Sequence, residues 1–171
     1  KKFVAKRYLE ISIIYTSALA FLLFLVWYIF CENIFRLLGA DGVILEYSIS
    51  YVRILSFSLF ILGLDISIKS TFQGIGITAP LMYAGVFQNI LNIFLDWALI
   101  FGNIGFPEMG INGAALSTTL SNIAGAILLI IIFYIRKDIP FKINLKGIIR
   151  PKWKVYKRII KIGIPSGLDV L

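Results

Sequence analysis

Residues 11–31 and 111–135 contain no charged side chain, and residues 81–101 contain one, Asp96; the three runs are 21, 25 and 21 residues long. Each exceeds the roughly 20 residues that a helix needs to cross about 30 Å of hydrocarbon at 1.5 Å per residue. A fourth run, 48–72, is interrupted by Arg53, Asp65 and Lys69, but Ile54–Leu64 at its centre is charge-free. Asp65 and Lys69 stand four apart, where opposite charges share a helix face, and are read as a structural ion pair near the span's inner end. The sequence therefore predicts an all-α polytopic membrane protein with spans at about 11–31, 48–72, 81–101 and 111–135. "KIGIPSGLDVL" (161–171) reads as the start of a fifth. With no Met at its first position, the chain reads as an internal piece of a larger protein.

Composition agrees. The chain is 59% hydrophobic and 15% charged, with a mean hydropathy of +0.90, whereas a soluble domain has about 45–50% and 25%. Histidine is absent and Cys31 is the sole cysteine. Imidazole metal sites, Ser/His and Cys/His catalysis and internal disulfides are thereby excluded, and no nucleophile–base pair suggests an enzyme.

Lys and Arg set the expected orientation. Fifteen of the 17 fall at one side of the spans: Lys1 to Arg7, then Lys69, then ten between Arg136 and Lys161. Arg36 and Arg53 fall at the other, where Arg53 would snorkel outward. The basic side is expected to be cytoplasmic, which places residues 1–10 and 136–160 there and the protein in the plasma membrane. The net charge of +8 then reflects topology and calls for no nucleic acid. In 136–160, Trp153 and Tyr156 stand at helical spacing with Ile160, between Lys152, Lys154, Lys157 and Arg158. That pattern predicts an amphipathic segment on anionic lipid, or else a solvated linker.

The third span carries the chemistry. Gln88, Asn92 and Asp96 are spaced by four, so they form one helix stripe, and Asn89 borders it. Such a stripe should face other helices or a water-filled cavity. An Asp at the centre of a span costs about 2.5–3.5 kcal/mol, and neutralising a carboxyl of ordinary acidity at neutral pH costs about 4 kcal/mol. The penalties are close, so an arriving cation or a change in water access can decide the charge. Two readings follow: Asp96 couples a proton or Na⁺ to a conformational change, or it sits hydrated near the outer interface while Asn92 pins two helices. Elsewhere, Gly74 and Gly76 in "FQGIGITAP" (72–80) read as a tight turn, lacking the spacing and lysine of a phosphate loop. Gly110, Ala114, Thr118, Ser121 and Gly125 form a small-residue face suited to close helix approach.

"FQGIG…P" (72–80), "LNIFLDWALIFG" (91–102) and "GFPEMGINGAALSTT" (105–119), in that order, resemble the multidrug and toxic compound extrusion (MATE) transporters. "YVRIL" (51–55) and "KIGIPSGL" (161–168) fit the same pattern. The resemblance implies part of a twelve-helix, two-lobe protein: four helices of the N-terminal lobe, an inter-lobe linker (136–160) and the first helix of the C-terminal lobe (161–171). It implies exchange of organic cations or drugs for H⁺ or Na⁺ by alternating access, with no other cofactor. Asn92 and Asp96 match the family's cation-coupling pair, and Tyr51 and Thr118 match cavity-lining positions, joined here by Gln88. A Na⁺ ion would sit at Asp96 and Asn92. Ile77 stands where the family often has an acidic residue, and the family's first-helix carboxylate lies outside this chain. The competing readings are a flippase for lipid-linked oligosaccharides, whose cavity would need several Arg or Lys, and a non-transporting scaffold subunit.

Overall fold

The structure is a computed structural model that describes residues 2–139, with side chains from residue 5. The expected linker beyond 139 and the helix start at 161–171 lie outside the described residues. Five helices follow one another: α1 (Lys2–Leu37), α2 (Gly42–Ser56), α3 (Leu59–Gly74), α4 (Ala79–Ile100) and α5 (Gly110–Ile135). The described residues contain no strand. The all-helical fold expected from the apolar runs is what forms. By length and composition α1, α4 and α5 can each cross a membrane, and α2 with α3 add a fourth crossing if the bent pair is one span.

α1 is longer than its charge-free run. Its 36 residues extend about 54 Å, because the flanking charges are absorbed into the helix as pairs one turn apart. Lys6 meets Glu10 at 3.7 Å and Arg36 meets Glu32 at 3.0 Å. Cys31, near its far end, is fully buried. A membrane-permeant maleimide should therefore label Cys31 only after denaturation; fast labelling of the folded protein would contradict this packing.

The stretch 48–72 is divided. α2 and α3 meet at 49° across Phe57 and Ser58, with neither proline nor glycine at the break. Hydroxyl groups account for it. Ser56 Oγ donates to the Arg53 carbonyl at 2.7 Å, Ser58 Oγ to the Leu55 carbonyl at 2.8 Å, and Thr119 Oγ1 from α5 to the Ile54 carbonyl at 3.2 Å. Carbonyls bound by side chains are released from the regular ladder, and the backbone closes instead with short bonds such as Ser58 N–H to Leu55 at 3.0 Å. Phe24 of α1 packs on both sides of the bend, 5.7 Å from Phe57 and 4.4 Å from Phe60 between ring centres.

Two turns close the layout. Gly76 ends the α3 side in the left-handed region (φ 76°), letting the Ile77 N–H reach the Phe72 carbonyl at 3.0 Å. Gly102 (φ 69°) is also left-handed, just after α4, and a Cβ there would lie 2.9 Å from the Glu108 nitrogen. α4 packs along α5, α1 along α3, and α2 bridges α1 and α5. At one end Leu9, Ile13, Ile68, Phe72, Ala84, Leu129 and Phe133 form an apolar plug, with the Phe72 and Phe133 rings edge to face at 5.9 Å.

Candidate functional site

α4 and α5 approach closely because one face of α5 is made of small residues. Gly113, Ser117, Ser121 and Gly125 are all buried and recur every four residues, so they form one stripe. A Cβ at Gly113 would lie 2.6 Å from the Leu99 carbonyl oxygen, and one at Gly125 would lie 2.9 Å from Gln88 Oε1. The stripe against α4 thus includes the expected Ser121 and Gly125, but Gly113 and Ser117 take the places given to Ala114 and Thr118.

The polar stripe of α4 lies on this seam. Ser117 Oγ donates to Asp96 Oδ1, and Asn92 Nδ2 approaches the same hydroxyl at 3.4 Å. Asp96 and Asn92 are half-buried and Ser117 is buried. Two turns before Asp96 on α4, Gln88 Nε2 donates to Asn122 Oδ1 at 2.6 Å. Asn89 is exposed and stands outside the seam's hydrogen bonds.

This geometry gives Asp96 one hydroxyl donor, with a second carboxylate oxygen available to a cation or a proton. Asn92 places its own side-chain carbonyl oxygen one turn away, an oxygen ligand of the type hard cations take. Ser117 was not singled out by sequence. Its stripe, Gly113, Ser117, Ser121 and Gly125, has the same spacing as the neighbouring one through Ala114 and Thr118, so the sequence carries no signal that separates the two.

The other expected residues lie apart. Thr118 Oγ1 donates to the Ala114 carbonyl of its own helix at 2.9 Å and lines a cavity of about 380 Å³ with Trp27, Leu55, Ser58 and Asn122. Tyr51 lines a different cavity of about 310 Å³, beside Phe35, Tyr47 and Ile111. Neither joins Asp96 among the described contacts. Asp65 and Lys69 do pair, Nζ to Oδ2 at 2.6 Å. They line a smaller cavity of about 150 Å³ with Gln88 and Asn122. Arg53 lies over the Tyr28 ring at 5.9 Å. Among the described residues no group of three or more Cys, Asp or Glu side chains is arranged to hold a metal ion.

The chain is similar to proteins already known. The family model described as MatE matches residues 1–98. The probable multidrug resistance protein NorM of Thermotoga maritima is 41% identical over 97 residues, covering 57% of this chain and 20% of the relative. The probable multidrug resistance protein NorM of Photorhabdus laumondii is 32% identical over 163 residues, covering 95% of this chain and 34% of the relative. A crystal structure of MATE in complex with MaD3S superposes with a TM-score of 0.80 at 28% identity, covering 95% of this chain and 36% of that one. The chain spans about a third or less of the length of these proteins. Family members are transporters rather than enzymes, and membrane proteins. With more than half of its residues matched by the family model, and its helices following those of a solved relative, the chain belongs to the MatE (MATE) family.

Proposed function

We propose that this chain is part of an ion-coupled antiporter that exports organic cations or drugs in exchange for H⁺ or Na⁺ by alternating access. The observation that supports the reading most is the Asp96–Ser117–Asn92 cluster on the α4/α5 seam. Asp96 binds the coupling ion, Asn92 offers a neutral oxygen, and Ser117 holds the carboxylate in place. Ion binding removes the charge, the two helices repack, and a cationic substrate leaves outward.

The orientation belongs to the same proposal. With the basic ends cytoplasmic, the Phe72–Phe133 plug lies on the inner side, and Asp96 lies about 18 Å further along α4 than the plug's Ala84. A flippase cavity for pyrophosphate would need uncommitted cations; here Lys69 is paired and Arg53 is stacked.

The test is substrate efflux from vesicles carrying the full natural protein, under separate H⁺ and Na⁺ gradients. One gradient should drive efflux. Asn92→Ala should raise the ion concentration for half-maximal rate about tenfold, as losing one oxygen ligand worth about 1.4 kcal/mol requires. Efflux indifferent to both gradients would end the antiport reading.

A further inference from the structure

The cavity between α3, α4 and α5 contains a feature that ion coupling at Asp96 does not use. Asp65 is only 8% exposed. One carboxylate oxygen, Oδ2, accepts from the Lys69 ammonium at 2.6 Å. The other, Oδ1, is the buried side-chain polar atom that has no hydrogen-bond partner among the described residues. A buried carboxylate oxygen without a donor is unfavourable, and the single-point lysine leaves it so. Lys69 is also loosely held, its side chain 42% exposed against 12% for Asp65. The lysine can leave for water while the carboxylate stays.

We propose that Asp65 is a binding site for a guanidinium or amidinium cation, which displaces Lys69 and satisfies both carboxylate oxygens. A planar forked cation donates two parallel N–H bonds to one carboxylate, which an ammonium cannot do. The remaining N–H groups find acceptors on the cavity wall. The Ser58 hydroxyl, which donates to the Leu55 carbonyl, keeps its lone pairs, and Gln88 and Asn122 line the same cavity. The cavity's volume, about 150 Å³, equals about five waters at 30 Å³ each, enough for a four-heavy-atom guanidinium. Ser58 and Asn122 also line the larger cavity that holds Trp27 and Leu55. The two spaces therefore share a wall at Ser58 and Asn122.

Lys69 is then a tethered competitor. Exchange is electroneutral at the carboxylate: one cation leaves as another arrives, and Asp65 is never left bare. The proposal deepens the transport reading by naming a substrate carboxylate distinct from Asp96, and rests on that reading for its role in export.

Calorimetric titration of the full natural protein in nanodiscs with phenylguanidinium, and with phenethylammonium as a single-point cation of similar size, tests it. Lys69→Met should tighten phenylguanidinium about tenfold by removing the competitor. Lys69→Arg should weaken it about tenfold, because the tethered fork fills both oxygens itself. The double variant Asp65→Asn/Lys69→Met, which leaves no lone buried charge, should lose at least the gain of Lys69→Met. Asp41→Asn, at an exposed carboxylate, should change nothing. Phenethylammonium should bind more weakly than phenylguanidinium throughout. Lys69→Met and Lys69→Arg shifting in the same direction, or neither shifting, would overturn the proposal, as would equal binding of the two cations. Loss of gradient-driven efflux in the wild type with these shifts intact would sink the antiport reading and leave the site standing.

Discussion

Asp96→Asn should abolish gradient-driven efflux while leaving the protein folded. The replacement is close in shape, and its amide oxygen can still accept from the Ser117 hydroxyl, so the seam keeps its packing. What it loses is the charge. An amide cannot take up a proton at neutral pH, and as a neutral ligand it attracts Na⁺ far less than a carboxylate does. At 4 Å and an effective dielectric of 20, opposite unit charges attract by about 4 kcal/mol, which converts to roughly a thousandfold in ion affinity. Efflux under the driving gradient should fall to the ungated background, with a Tm within a few degrees of wild type. Efflux of wild-type size with its ion dependence intact would mean that Asp96 and Asn92 only join two helices.

The second large effect is on assembly. Gly63→Ala should cost about 2–5 kcal/mol of stability, although alanine is the better helix former by about 1 kcal/mol. The reason is how close α3 comes to α1: a Cβ at Gly63 would lie 2.4 Å from the Ser17 backbone nitrogen. Backbone cannot rotate aside, so the helices must part. Parting breaks the contacts that the approach permits. Thr16 Oγ1 donates to the Gly63 carbonyl at 2.7 Å and lies 2.9 Å from Ser67 Oγ, while Ser12 and Ser67 hydroxyls meet at 3.2 Å. Gly85→Ala provides the contrast, because a Cβ there meets nothing within 4 Å. It should hold or raise stability by its helix propensity alone. Thermal unfolding followed by fluorescence or size exclusion separates the two. Equal behaviour would refute the close packing of α1 on α3.

Much of this was legible because the signals were strong and local. Charge-free runs of membrane length give helices whatever surrounds them, and the four-residue spacing of Gln88, Asn92 and Asp96 fixes one face of α4. The Asp65–Lys69 pair follows from the same spacing. Features whose deciding partner is distant in the chain are not legible in the sequence. Small residues occupy nearly every direction of α5 between 113 and 126, so spacing alone could not say whether Ser117 or Thr118 meets Asp96; only the phase of α5 on α4 decides. The bend at Phe57 and Ser58 has no proline or glycine to announce it. Two serines act locally, but the third hydroxyl, Thr119, comes from 65 residues away. The full length of α1 was hidden because charges normally mark a span's edge, whereas here they are paired within the helix and let it continue.

Stoichiometric ion release measures directly whether Asp96 exchanges its ion against substrate. Substrate added to the full natural protein in weakly buffered detergent, loaded with the ion whose gradient drives efflux, should release about one ion per substrate bound. A pH indicator reads this for H⁺, or a sodium electrode for Na⁺. Asp96→Asn should bind substrate and release none. The same release from wild type and Asp96→Asn would contradict it.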